Sequence, residues 1–187
     1  LIEEDYWCFP PKAQTYTAGV NDGQVSGVIT GGNFTKSGAG VFILKSVNTY
    51  IGTTTVSGGT LQLGASNSIP SSSGLILSGG EFSSGGFTNT LASIALSDNS
   101  TLRMVGSGVH TLTFTNLSTF TASKILTING WQGTYANPGA TGTAGRIVFS
   151  ATTSAGILNQ IKFYNSSSGT THTSIQLATK EIVAGNQ

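Results

Sequence analysis

Apolar and polar residues alternate in short runs along most of the chain, as in Leu61-Gln62-Leu63, Leu75-Ile76-Leu77, Ile94-Ala95-Leu96 and Leu112-Thr113-Phe114. A period of two is that of a β-strand burying one face, whereas a helix would repeat every three to four residues. Gly-Gly, Asp-Asn and Ser-Gly pairs separate the runs. Such residues accept the left-handed backbone region, so the chain bends sharply between short strands.

One phrase returns. Val56-Ser57-Gly58-Gly59-Thr60-Leu61 is followed 21 residues later by Leu77-Ser78-Gly79-Gly80-Glu81-Phe82, and a looser version, Leu96 to Leu102, comes 19 residues after that. Ser37-Gly38-Ala39-Gly40-Val41-Phe42 precedes the first by a similar distance. A repeat of about twenty residues fits two or three short strands plus corners, the size of one coil of a β-solenoid with strands stacked in parallel. The fold predicted is therefore all-β, a right-handed parallel β-helix over residues 14–187, with repeat-like coils at about 24–130. A β-sandwich is the alternative, because strands spaced at eight to twelve residues suit it too.

Composition changes this picture in two ways. The 187 residues are 37% hydrophobic, enough for one elongated domain with a thin continuous core, and regularly spaced Val, Ile, Leu and Phe argue against disorder. Charged residues make up only 8% of the chain, so polarity must come from hydroxyls and amides. In a parallel stack like charges would face one another in successive coils, while Thr, Ser and Asn are expected to form ladders on the outer face. The net charge of +1 comes from scattered basic residues rather than a cluster, which argues against a nucleic-acid partner. Cys8 alone makes no internal disulfide, no apolar run approaches membrane-spanning length, and the start at Leu1 without a leader pattern reads as a mature, processed or partial chain.

Residues 31–64, GGNFTKSGAGVFILKSVNTYIGTTTVSGGTLQLG, resemble the autotransporter-associated β-strand repeat of bacterial surface passenger regions. The carriers are Lys36-Ser37-Gly38-Ala39-Gly40, Asn48-Thr49-Tyr50-Ile51-Gly52, Thr53-Thr54-Thr55-Val56 and Gly59-Thr60-Leu61. Residues 26–31 look like the coil leading into such a repeat. Leu102 to Thr115, Leu126 to Gly133 and Gln160 to Tyr164 look like the ending of surface proteins of Bacteroidota-like bacteria. The resemblance implies export to the cell surface or beyond, with a role in adhesion, surface coating or filament building, and carries over neither catalytic residues nor a cofactor.

Candidate chemistry is sparse. Glu81 and Asp98 could fall on neighbouring coils near Arg103, as a polysaccharide lyase would need, but surface carboxylates and corner caps explain them better. His110 and His172 lack metal-ligand spacing, no nucleophile-elbow motif is present, and Thr53-Thr54-Thr55 is one cluster rather than the recurring Thr row of an ice-binding face. The chain reads as a non-enzyme without a metal site. Asn33, Asn99, Asn116 and Asn165 stand in glycosylation sequons expected by chance in so Asn- and Thr-rich a sequence.

Trp131 with Tyr135, beside Asn137-Pro138-Gly139, forms a candidate sugar-stacking platform, and its rival is a Trp131 that covers the end of the core. Both ends of a solenoid need covering. A capping region at about 131–187 is expected, with a short helix from Ser154 to Gln160, a strand from Ile161 to Tyr164 and further strand from Ser174 to Val183. Residues 1–13 form an arm or a cap. Their aromatic residues Tyr6, Trp7 and Phe9 are the candidates for docking on a neighbouring copy, which would give head-to-tail self-association; surface glycans of a host or biofilm are the other partner class.

Overall fold

The chain makes β-strands where the alternation predicts them. The computed structural model describes residues 14–17, 23–106, 108–135 and 141–187. In chain order the coils run through β1 (Gln14–Thr17), β2 (Gly23–Val25), β3 (Phe34–Ser37), β4 (Val41–Leu44), β5 (Thr54–Val56), β6 (Thr60–Leu63), β7 (Gly74–Ser78) and β8 (Glu81–Ser83). They continue through β9 (Asn89–Asp98), β10 (Ser100–Arg103), β11 (His110–Phe120), β12 (Leu126–Asn129) and β13 (Gly145–Phe149). The last part is α1 (Ala155–Gln160), β14 (Ile161–Asn165), β15 (Thr170–His172), β16 (Ser174–Gln176) and β17 (Glu181–Ala184).

Odd-numbered strands β1 to β13 stack in one sheet and even-numbered strands β2 to β14 in the other, every neighbouring pair parallel. Alternation of one chain between two parallel sheets defines a parallel β-helix and excludes the antiparallel β-sandwich.

The repeat seen in the sequence is the coil register. Val56 pairs with Leu77 and Leu77 with Leu96, and Phe42, Leu61, Phe82 and Leu102 form one continuous row. Ile128 and Phe163 extend that row, and every member is buried. A row of this kind is the hydrophobic core of a solenoid, each side chain packing on the ones above and below, so stability comes from contacts between neighbouring coils.

Polar side chains bridge the coils from inside as well as from outside. The Asn48 amide accepts from the Ile29 N–H at 2.8 Å and donates to the Ser68 and Ser46 carbonyls at 2.6 and 3.1 Å. Asn89 accepts from the Ile69 N–H and donates to the Ile69 carbonyl, both at 3.0 Å. Both asparagines are buried, and each satisfies backbone groups that the bends leave unpaired. The expected external hydroxyl ladder is shorter than predicted: on the odd-numbered sheet the outward row Thr35, Thr55, Ile76, Ala95 is only half hydroxyl. Of the three threonines considered for ice binding, Thr54 points inward and bonds the Tyr50 hydroxyl at 2.6 Å and Ser73 at 2.9 Å.

Burial pushes the Tyr50 hydroxyl up to about 12, against the smaller opposing effect of its hydroxyl partners. Tyr50 therefore contributes stability that is complete below pH 10 and is lost as pH rises through about 12. Melting temperatures followed across pH 9 to 12 are expected to fall less steeply in Tyr50→Phe than in the parent; equal slopes would show that Tyr50 does not ionise on unfolding.

The cap reverses the strand pattern. Ser154 caps α1 by accepting from the Ile157 N–H, and the chain enters β14 directly, as the sequence predicted. β15 then runs antiparallel to β14, while β17 pairs antiparallel with β13 and with β16. Glu181 on β17 is fully buried and accepts from the Gly142 N–H at 2.8 Å and Arg146 Nε at 3.0 Å, fastening the cap to the preceding coil.

Candidate functional site

The corners joining the odd-numbered to the even-numbered sheet shorten and then lengthen along the stack. They comprise residues 38–40, 57–59, 79–80 and Asn99, then 121–125 and 150–160. The 121–125 corner thus follows the single-residue corner at Asn99. Across these corners lies an open groove of about 470 Å³ lined by Gly59, Gly79, Gly80, Glu81, Asn99, Ser100, Thr101, Ile125 and Thr127.

The 121–125 corner is well fixed. Asn99 Oδ1 accepts from the Ile125 N–H at 2.8 Å, and the Gln160 side chain donates to the Thr121 and Lys124 carbonyls at 2.6 and 3.0 Å. Lys124 Nζ lies 2.7 Å from Asp98 Oδ1, and that bond together with the Asn99 N–H holds the Asp98 carboxyl below the usual carboxylate range. Arg103 grips the groove residue Glu81 with both a 2.7 Å Nε contact and a 2.8 Å Nη2 contact. The sequence placed Glu81, Asp98 and Arg103 near one another. The structure pairs Glu81 with Arg103 and gives Asp98 to Lys124, so each carboxylate is an ion-pair member.

Other polar groups sit inside the stack. Lys36 occupies an inward position, in register with Val56, and is fully buried. Its ammonium donates to the carbonyls of Ser37, Gly38 and Gly58 at 2.9, 2.8 and 3.0 Å, tying one corner to the next. Burial lowers its pKa from the ordinary lysine value, and three carbonyl acceptors act against that. Ser84 takes the inward place that Leu44 and Leu63 fill in earlier coils, and its hydroxyl meets His110 Nε2 at 2.9 Å. His110 Nδ1 lies 2.8 Å from the Gly108 carbonyl, which can only accept, so Nδ1 carries a proton. No sequence motif marked this pair, and its burial keeps both groups away from any substrate.

Trp131 is 3% exposed. Phe163 and Tyr135 meet its ring edge to face at 5.1 and 5.2 Å, so the surfaces that would stack a sugar are taken by the chain's own aromatics. Tyr135 is half-buried, with its hydroxyl donating toward the Tyr164 carbonyl at 3.2 Å. Trp131 thus packs within the core cluster rather than on an open face. Asn137-Pro138-Gly139, Cys8 and the arm residues Tyr6, Trp7 and Phe9 lie outside the described residues. His172 is 4% exposed and lies against Tyr135 with ring centroids 4.9 Å apart, far from any metal-ligand constellation; among the described residues no group of three or more His, Cys, Asp or Glu side chains could hold an ion. No helix among the described residues is long and apolar enough to cross a membrane.

These features define a class: a parallel β-solenoid with a capped C-terminal end, a hydrophobic stack inside and few charges outside. Comparison with protein families places a passenger-associated transport repeat at residues 34–63, which includes the buried Lys36, Asn48, Tyr50 and Thr54. Searches of curated proteins and of solved structures give no match. Such repeats occur in autotransporter passenger regions.

Proposed function

We propose that the chain is a secreted bacterial surface module, non-enzymatic, whose role is structural and adhesive. The passenger-associated repeat at residues 34–63, standing in a stack of coils held by backbone ladders and buried side chains, is the observation that carries this reading. A rod of this kind gains length by adding coils, each stabilised by its neighbour, and so displays lateral surface at little cost in sequence complexity.

The cap favours finite rods over filaments built by coil-on-coil stacking. A second copy that continued the solenoid beyond β15 would meet a strand running against the direction of its sheet. Docking through the N-terminal arm at Tyr6, Trp7 and Phe9 is the remaining route to a head-to-tail filament, and it would need no continuous sheet.

Surface display is tested on intact cells of the source bacterium with an antibody to the folded domain. Labelling without permeabilisation is expected; labelling only after permeabilisation would overturn the proposal. Electron microscopy across a dilution series should give short rods at every concentration, and filaments abolished by deleting residues 1–11 would transfer the assembly role to the arm.

A further inference from the structure

We infer that the groove beside the 121–125 corner binds an uncharged, hydroxyl-rich saccharide. The inference rests on the adhesive reading above and gives it a site. The groove's volume, about 470 Å³, is that of a small-molecule site, and its lining is hydroxyl, amide and carboxylate with one apolar wall at Ile125.

Charge selects the ligand class. Glu81 is the one charged residue in the lining and Arg103 neutralises it, so the groove presents donors and acceptors without net charge to attract a phosphate or a uronate. A sugar hydroxyl donates and accepts at once, and therefore suits a carboxylate gripped by a guanidinium: the carboxylate takes the hydroxyl proton while free guanidinium N–H groups give one back. Arg103 spends two of its N–H groups on Glu81 and its side chain remains 44% exposed.

The outward threonines supply further partners. Thr101 and Thr127 are paired in register on β10 and β12, and neither hydroxyl has a protein hydrogen bond among the described residues. They line the groove beside Glu81, which is in register with Thr101. Ile125 offers the aliphatic surface that the C–H face of a pyranose needs. Peptide addition is disfavoured here, because β8, β10 and β12 are each paired on both edges and leave no free backbone ladder.

The floor is preformed. Glycines at 59, 79 and 80 place no side chain in the groove, and the Asn99 and Gln160 bonds fix the 121–125 corner, so a ligand would pay little to order its site.

Titration calorimetry of the whole chain with cellohexaose, maltohexaose and laminarihexaose, and with hexagalacturonate as the anionic counterpart, tests the inference. At least one neutral hexaose is expected to bind saturably. Thr101→Val with Thr127→Val should weaken that binding by about tenfold or more, the loss of one to two hydrogen bonds. Thr35→Val, on the other sheet, should leave it unchanged. Absence of saturable binding by all three neutral probes at millimolar concentration, equal affinity in the double variant, or tighter binding of hexagalacturonate would each overturn the site. Failure here with surface labelling intact would remove the saccharide site and leave the display role standing.

Discussion

Lys36→Met is expected to lower stability by about 3 kcal/mol and to melt the coils on either side of residue 36 ahead of the rest. Methionine has nearly the same stem, so the core row through Val56 and Leu77 stays filled and the change isolates the ammonium. What is lost is a donor to three carbonyls on two successive corners, Ser37 and Gly38 below and Gly58 above. Hydrogen bonds from a charged donor contribute about 1.5–3 kcal/mol each, and water entering the partly open corner would recover a share of that. Urea unfolding followed by fluorescence and by hydrogen exchange is the measurement. Early exchange at the Ser57 N–H, which donates to the Lys36 carbonyl at 2.9 Å, would mark the local opening. An unchanged midpoint would mean that water replaces the ammonium without loss.

The buried lysine also marks the limit of what could be read from the sequence. Period-two alternation and the returning phrase located the strands and their register, because in a solenoid the side chains that touch across coils are the ones that recur one repeat apart. Phe42, Leu61, Phe82 and Leu102 were legible for that reason. The helix before β14 was legible too, from the change of pattern after Ser154.

Lys36, Ser84 and Glu181 were not legible as interior groups. Nothing in composition says that a lysine will reach carbonyls at a corner, and Ser84 meets His110 across the interior, from the end of a strand in one sheet to the start of a strand in the other, so the two are not register partners. Glu181 and Arg146 are 35 residues apart and meet through the antiparallel cap, which breaks the repeat on which the reading depended. The groove was hidden for a related reason. Its residues are spread over corners of several coils, and it exists because corner length changes from Asn99 alone to residues 121–125, a difference between repeats rather than a motif within one.

Gly59→Ala and Gly79→Ala are expected to differ sharply, although the two glycines occupy equivalent phrases and both have positive φ, +56° and +106°. The backbone penalty applies to each and is about 1–3 kcal/mol. At Gly79 a methyl group would meet only the Ser57 carbonyl oxygen at 3.7 Å, ordinary contact, so the cost should stay in that range. At Gly59 it would lie 2.4 Å from the carbonyl oxygens of both Gly38 and Gly40, atoms of the neighbouring coil's backbone that no rotamer change can move. The coils must then part at this corner, loosening the Thr60 N–H to Gly40 carbonyl bond, and the total loss should exceed about 4 kcal/mol, in the range seen when a core contact is broken outright. Urea midpoints compare the two variants, and hydrogen exchange at Thr60 localises the damage. Similar losses in both would mean that φ alone dictates glycine here; a much larger loss at Gly59 would mean that close stacking of the corners does, and that the Gly-Gly phrase records the distance between coils as much as the sharpness of the bend.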